Sequence, residues 1–214
     1  MTINLVQLTS VAPLASDRVN YFEGKKQYVA TGSVDDYESI LEKFINHKER
    51  PSRADLIVKK NDVCFARMQN TKKIILINDK RSNFIYSTGF AVLRSNTDKI
   101  IPEYLFHLIN SPIFQSIKDS MCTGATQKAI INNKINKIKI FLPSLTEQKN
   151  ISEILDSVNI ISNKNRQTII KLNELTNSLF MHMFGDPFKN VKKYPKIILG
   201  KLLKTGPQNG LYKP

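Results

Sequence analysis

Hydrophobic and polar positions divide this chain into two regimes. Up to about residue 143, short apolar clusters are bounded by turn-forming residues. This predicts strands at Gln27 to Thr31, Leu56 to Val58, Val63 to Met68, Lys73 to Ile77, Phe84 to Arg94 and Ile138 to Leu142. Turn chemistry falls at Lys60-Asn61-Asp62 and at Asn78-Asp79, and the short spacings predict antiparallel neighbours. Two helical patterns lie between the strands. One opens at Pro102 with Tyr104, Leu105, Leu108 and Ile109 apolar, and the other opens at Ser111-Pro112 with Ile113, Phe114 and Ile117. The expectation for residues 1–143 is therefore an α+β domain, rich in mixed or antiparallel strands.

From residue 144 the period changes. Ser144-Leu145-Thr146-Glu147 is a capping-box pattern, in which a Ser hydroxyl and a Glu carboxylate satisfy backbone N–H groups at a helix start. Neither Pro nor Gly follows until Gly185, so residues 144–184 read as one helix on the order of 60 Å long. Ile151, Val158, Leu172 and Leu179 form one heptad row, and Ile154, Ile161 and Leu175 form the next. Leu155, Ile169 and Met183 widen the stripe, while Asn165 and Thr168 interrupt it and suit register better than strength. Such a coiled-coil-type helix leaves its apolar stripe in water unless another helix covers it. A long amphipathic helix packed on its own domain is the alternative, disfavoured because interior helices are normally shorter.

Charge follows the same division. Residues 1–143 carry 21 basic and 13 acidic side chains, residues 144–184 carry four of each, and residues 185–214 carry seven against one. A net charge of +14 at pH 7 favours a polyanionic partner, nucleic acid before any other. Residues 44–81 hold ten basic and four acidic side chains, the basic ones concentrated in predicted connections. Arg67, Gln69 and Asn70 offer forked donors and acceptors suited to base edges, and Thr71, Lys72 and Lys73 extend the same loop. Arg50 and Arg53 are phosphate candidates, and the small polar loop with Thr126, Gln127 and Lys128 can bring backbone close to a groove. A solvated charged turn is the plainer reading of either loop alone.

The 214 residues hold 41% hydrophobic side chains, enough for a packed core. No apolar run approaches a membrane span and no secretory leader is visible, so a cytoplasmic protein is expected. Cys64 and Cys122 have no CxxC or His companions and are expected as buried thiols.

The order of motifs resembles the specificity subunit of type I restriction-modification systems. Asn61 to Met68, Ser87 to Arg94, Pro102 to Phe106 with Asn110-Ser111-Pro112, Thr123 to Lys128, and Leu142 to Lys149 leading into the long helix carry the likeness. The resemblance implies one target-recognition domain (1–143) and one helical spacer (144–184), with 185–214 the start of a second recognition domain or a tail. In that family two such halves pack their helices antiparallel, and each domain reads one part of a bipartite double-stranded DNA target. It further implies methyltransferase subunits carrying S-adenosylmethionine, and a restriction subunit, as partners. A half-subunit, whether natural, from an interrupted gene or a fragment, restores that plan by pairing with itself through the dimerisation row Ile151, Ile154, Val158, Ile161, Asn165, Leu172, Leu175 and Leu179. A faint repeat between Ile3–Leu8 and Ile197–Leu202 fits two domain starts.

No methyltransferase or nuclease constellation is legible. Asp35, Asp36 and Glu38 read equally well as a turn and helix start, and His47, His107 and His182 lack metal-ligand companions. The expectation is a non-catalytic subunit with no cofactor of its own. Its rivals are a coiled-coil interaction or scaffolding module whose basic domain does not bind DNA, and the DNA-binding appendage of a fused restriction enzyme.

Overall fold

The structure, a computed structural model, describes residues 4–34 and 40–202. The carboxylates Asp35, Asp36 and Glu38, and the Asn209–Lys213 segment, lie outside the described residues. In chain order the elements are β1 (Asn4–Gln7), α1 (Leu8–Val11), β2 (Leu14–Ala15), β3 (Lys26–Val29), β4 (Phe44–Ile45), β5 (Ala54–Ile57), β6 (Asp62–Ala66), β7 (Ile74–Leu76), β8 (Ile85–Ser87) and β9 (Phe90–Arg94). Then come α2 (Pro102–Asn110), α3 (Pro112–Ser120), α4 (Asn132–Ile135), β10 (Lys139–Leu142) and α5 (Leu145–Phe184). The α+β expectation and the long C-terminal helix are both met. The chain divides into two compact units, residues 1–158 and 159–214.

In the first unit, one sheet runs β2-β9-β6-β7, all antiparallel, and a second runs β4-β3-β8-β5. Alternation along the central strands explains the layering. Val63 and Phe65 of β6, Ala91 and Leu93 of β9 and Ile74 of β7 join Leu105, Ile109 and Phe114 of α2 and α3 in one core cluster. Cys64 and Ala66, Phe90 and Val92, and Ile75 turn the other way, against Val29, Leu56 and Tyr86 of the second sheet. The first sheet is thus covered on both faces, which is why its strands read as continuous apolar runs.

The close sequence neighbours β3 with β4 and β6 with β7 pair antiparallel, while β3 and β8 pair in parallel, through Tyr28 with Ile85 and Val29 with Tyr86, so the strands are mixed as expected. A parallel pair needs a long connection, which β4 to β7 supply. Two expectations are corrected. The single strand expected over Phe84 to Arg94 is two strands in different sheets. The Ser87 Oγ accepts the Gly89 N–H at 3.1 Å, a local turn that competes with the ladder and lets the chain change sheets. Finally, β1, β2 and β4 were not expected at all; they are short, and β1 pairs with β10, more than 130 residues later.

Polar contacts close this unit. Buried Asp62 accepts both Arg94 Nε and Nη2 at 3.0 Å, and Arg94 also reaches Asp17 at 2.8 Å. A buried carboxylate survives because it is matched in charge and in hydrogen bonds. The start of α5 belongs to this unit as well, past the boundary expected at 143. Ser144 Oγ accepts the Glu147 N–H, and Glu147 Oε2 accepts from Ser144 N–H and Oγ–H, which is the reciprocal capping box. Fully buried Gln148 accepts the Ile101 N–H at the head of α2 and donates to the Lys99 and Pro143 carbonyls. One further turn on each, Ser152 is buried and Asp156 meets His107 Nε2 at 2.7 Å, so the face at 148, 152 and 156 holds the helix.

In the second unit every described residue of α5 is exposed. The helix ends at Gly185, whose N–H bonds to the Met181 carbonyl and whose φ of 73° is the left-handed cap conformation. Lys192 Nζ then donates to the His182 and Met183 carbonyls, a cation on the negative end of the helix dipole. Residues 194–202 form no strand, only a 3₁₀ turn at Leu199–Lys201. The matching segment β1 is held by β10, and no described strand offers 197–202 such a partner.

Candidate nucleic-acid interface

The two polar loops singled out in the sequence meet. Past the end of β6 the chain runs through Arg67 to Lys73 before β7, and a second stretch, Thr123 to Ile130, lies alongside it. Gln69 N–H donates to the Lys128 carbonyl and Ile130 N–H to the Arg67 carbonyl, both at 2.9 Å, with a bridge between Met68 and Ala129. Together Met68, Gln69, Asn70, Thr71, Ala125, Thr126, Gln127 and Lys128 line an open groove of about 410 Å³. Six of these eight are sequence candidates.

Local chemistry explains each loop. The Thr123–Lys128 loop closes back on itself through reciprocal hydrogen bonds between Thr123 and Ala129, at 3.0 Å each. Gly124 makes this possible: its φ is 141°, and a Cβ there would lie 2.6 Å from the Gln127 carbonyl oxygen. Thr126, Gln127 and Lys128 are exposed. The Gln127 amide rests on Met68 Sδ, tying the rims of the groove together. In the facing loop Asn70 takes a left-handed φ of 56°, tolerable for Asn, and Thr71 Oγ donates to the Gln69 carbonyl.

The candidate arginines divide by what they hold. Arg67 directs Nε to the Phe90 carbonyl at 3.0 Å and Nη1 to the Ile130 carbonyl at 3.3 Å, bracing β9 against the second loop. Burial pulls its guanidinium below its ordinary value, though an arginine stays charged throughout. Arg50 bonds to the Ala54 carbonyl and, at 2.9 Å, to Asp55, beside Arg18 on the same carboxylate. Arg53 is exposed, and its carbonyl accepts the Thr88 N–H. Arg50 and Arg53 sit before β5 and do not line the groove. Lys72 is exposed and is not among the groove's lining residues, and the Lys73 carbonyl accepts the Ala66 N–H.

Sequence reasoning missed Lys118 and Asp119 of α3, which bond to the first loop from beneath. A signal existed: Lys118 stands four residues after buried Phe114, on the face of an amphipathic helix where an apolar residue belongs. Of the cysteines, Cys64 is fully buried as expected, while Cys122 is half-buried with Sγ near the Lys118 carbonyl. His47 is packed between Tyr21 and Phe22. Among the described residues no cluster of His, Cys, Asp and Glu is suited to a metal, and no helix is long and apolar enough to cross a membrane.

Residues 6–174 match the family model of the type I restriction modification DNA specificity domain, which takes in both loops of the groove and most of α5. The chain belongs to this family. It is similar to the specificity subunit of the HindI restriction enzyme of Haemophilus influenzae, at 23% identity over 164 residues, 74% of this chain and 35% of that protein. Its fold is similar to the HsdS subunit of Thermoanaerobacter tengcongensis, with a TM-score of 0.66 at 25% identity, over 86% of this chain and 50% of that one. A chain from a type I restriction-modification system structure, concerned with complex assembly and conformational transition, matches with a TM-score of 0.67 at 25% identity, over 92% and 52%. The chain spans about a third of that curated relative and about half of these solved chains.

Proposed function

We propose that this chain is the non-catalytic DNA-recognition unit of a type I restriction-modification complex, reading one half of a bipartite target through the groove between its two polar loops. One observation carries the reading: in a chain of the DNA specificity family, two segments more than 50 residues apart converge to line a polar groove that includes Lys128. Asn70, Thr71, Thr126 and Gln127 are the proposed base-edge readers, and Lys72, Lys73, Lys128 and Arg53 the phosphate contacts; Gln69, whose Nε2 donates to the Asp119 carbonyl, joins the residues that hold the loop. Arg67 and Arg50 are reassigned to holding the frame, because their guanidiniums are spent on carbonyls and a carboxylate.

The same reading gives the chain methyltransferase subunits, with S-adenosylmethionine bound to them, and a restriction subunit as cytoplasmic partners. A second copy covers the stripe of α5, on which Ile154, Val158, Ile161, Leu172, Leu175 and Leu179 are each at least half exposed. Leaving that stripe in water is unfavourable by the ordinary hydrophobic cost, and helix pairing removes it. Two identical readers about a twofold axis then meet an inverted-repeat target.

Titration of duplex DNA over a range of salt concentrations tests the proposal. A steep loss of affinity with salt, together with preference for one sequence over its scrambled version, is the expected result. Indifference to all duplexes at low salt, with self-association intact, would instead favour a scaffolding module built on α5.

A further inference from the structure

The floor of the groove hangs from one buried cation. Lys118, in the last turn of α3, is 0% exposed, and its Nζ donates to the Thr71 carbonyl at 2.8 Å and the Met68 carbonyl at 3.1 Å, with Asp119 Oδ1 at 3.2 Å. An ammonium has three protons, and here there are three acceptors for them. Asp119 completes the set: its Oδ1 accepts the Asn70 N–H at 3.1 Å and its carbonyl accepts Gln69 Nε2 at 3.2 Å. Met68, Gln69, Asn70 and Thr71 line the groove in succession, and each is tied to Lys118 or Asp119.

Packing alone does not call for a lysine here. Its neighbours on the helix face core, and a methionine would fill the same space without the cost of removing a charge from water. What the ammonium adds is a fixed distance between two carbonyls on either side of the left-handed Asn70, which sets the conformation of the reading loop. We propose that Lys118 is a positioning residue for sequence readout: it holds the backbone of residues 68–71 in the shape that presents Asn70 and Thr71 to base edges, and so governs discrimination among sequences without itself touching DNA. This rests on the DNA reading above.

The test uses the full chain and a pool of duplexes with a randomised central segment. Wild type enriches a sequence, and its affinity for that sequence is compared with its affinity for a scrambled duplex. Lys118→Met is expected to lower this ratio about tenfold, the discrimination of one good base contact, with the scrambled-duplex affinity and the salt slope unchanged. Amide exchange at Asn70 should accelerate while Val63 and Phe65 of β6 stay protected. A protected β6 with the wild-type ratio overturns the inference. If Lys118→Met loses β6 protection, Asp119→Ala is read in the same titration; a threefold or greater fall in the ratio supports the inference and an unchanged ratio overturns it. A wild type that enriches no sequence overturns the DNA reading, and the inference with it.

Discussion

At the scale of single residues, side chains that face the groove and side chains that hold it should fail differently. Lys72→Ala and Lys128→Ala are each expected to weaken binding to every duplex alike and to lower the salt slope by about one. Gln127→Ala should leave that slope unchanged and cost about 1–3 kcal/mol of preference at one base pair. Gly124→Ala forces a Cβ onto the Gln127 carbonyl and should destabilise the loop by on the order of 1–3 kcal/mol, read as a lowered melting temperature with lost preference. The residues that line the groove were legible in the sequence as two polar loops, because loop composition is local. The holding residues were not. Lys118, Asp62 and Arg94 acquire meaning only from partners far along the chain, so their identity alone reads as surface charge. Arg67 shows the converse, since a side chain well suited to guanine is equally suited to two carbonyls.

At the scale of elements, the start of α5 is the most exposed to test. Ser144→Ala removes the acceptor for the Glu147 N–H and should cost about 1 kcal/mol, seen as a lower urea midpoint at unchanged slope. The Ser144 hydroxyl and N–H hold the Glu147 carboxyl below its ordinary value of 4.5. A depressed carboxylate contributes stability in full above that ordinary value and loses it as pH falls through the folded one. Stability curves of wild type and Glu147→Gln should therefore differ at neutral pH and converge in acid. Helices were legible because Pro at the first position, capping residues and period are all local. Strand order was less so. β1 with β10 and the parallel β3 with β8 depend on contacts that no local pattern encodes, and Phe84 to Arg94 reads as one strand until the Ser87 hydroxyl turns it.

At the scale of the whole molecule, the apolar stripe on α5 and the α+β unit make separate demands. Val158→Asp with Leu172→Asp places charge on the stripe, and the double variant should sediment as a monomer where wild type sediments as a dimer. An unchanged dimer would remove α5 from the pairing surface. Both regimes were visible in sequence because periodicity and charge shift together near residue 144; that the first three turns of the helix belong to the domain was not, because Gln148, Ser152 and Asp156 look like ordinary solvent-facing residues. The central claim is that the groove between the two loops is where bases are read. A photocrosslinking side chain at Thr126, inside the groove, and one at exposed Ile113 on α3 test it most directly. The account predicts crosslinks to the bases of the enriched duplex from position 126 and none from 113; binding that persists with crosslinks only from 113 would contradict it.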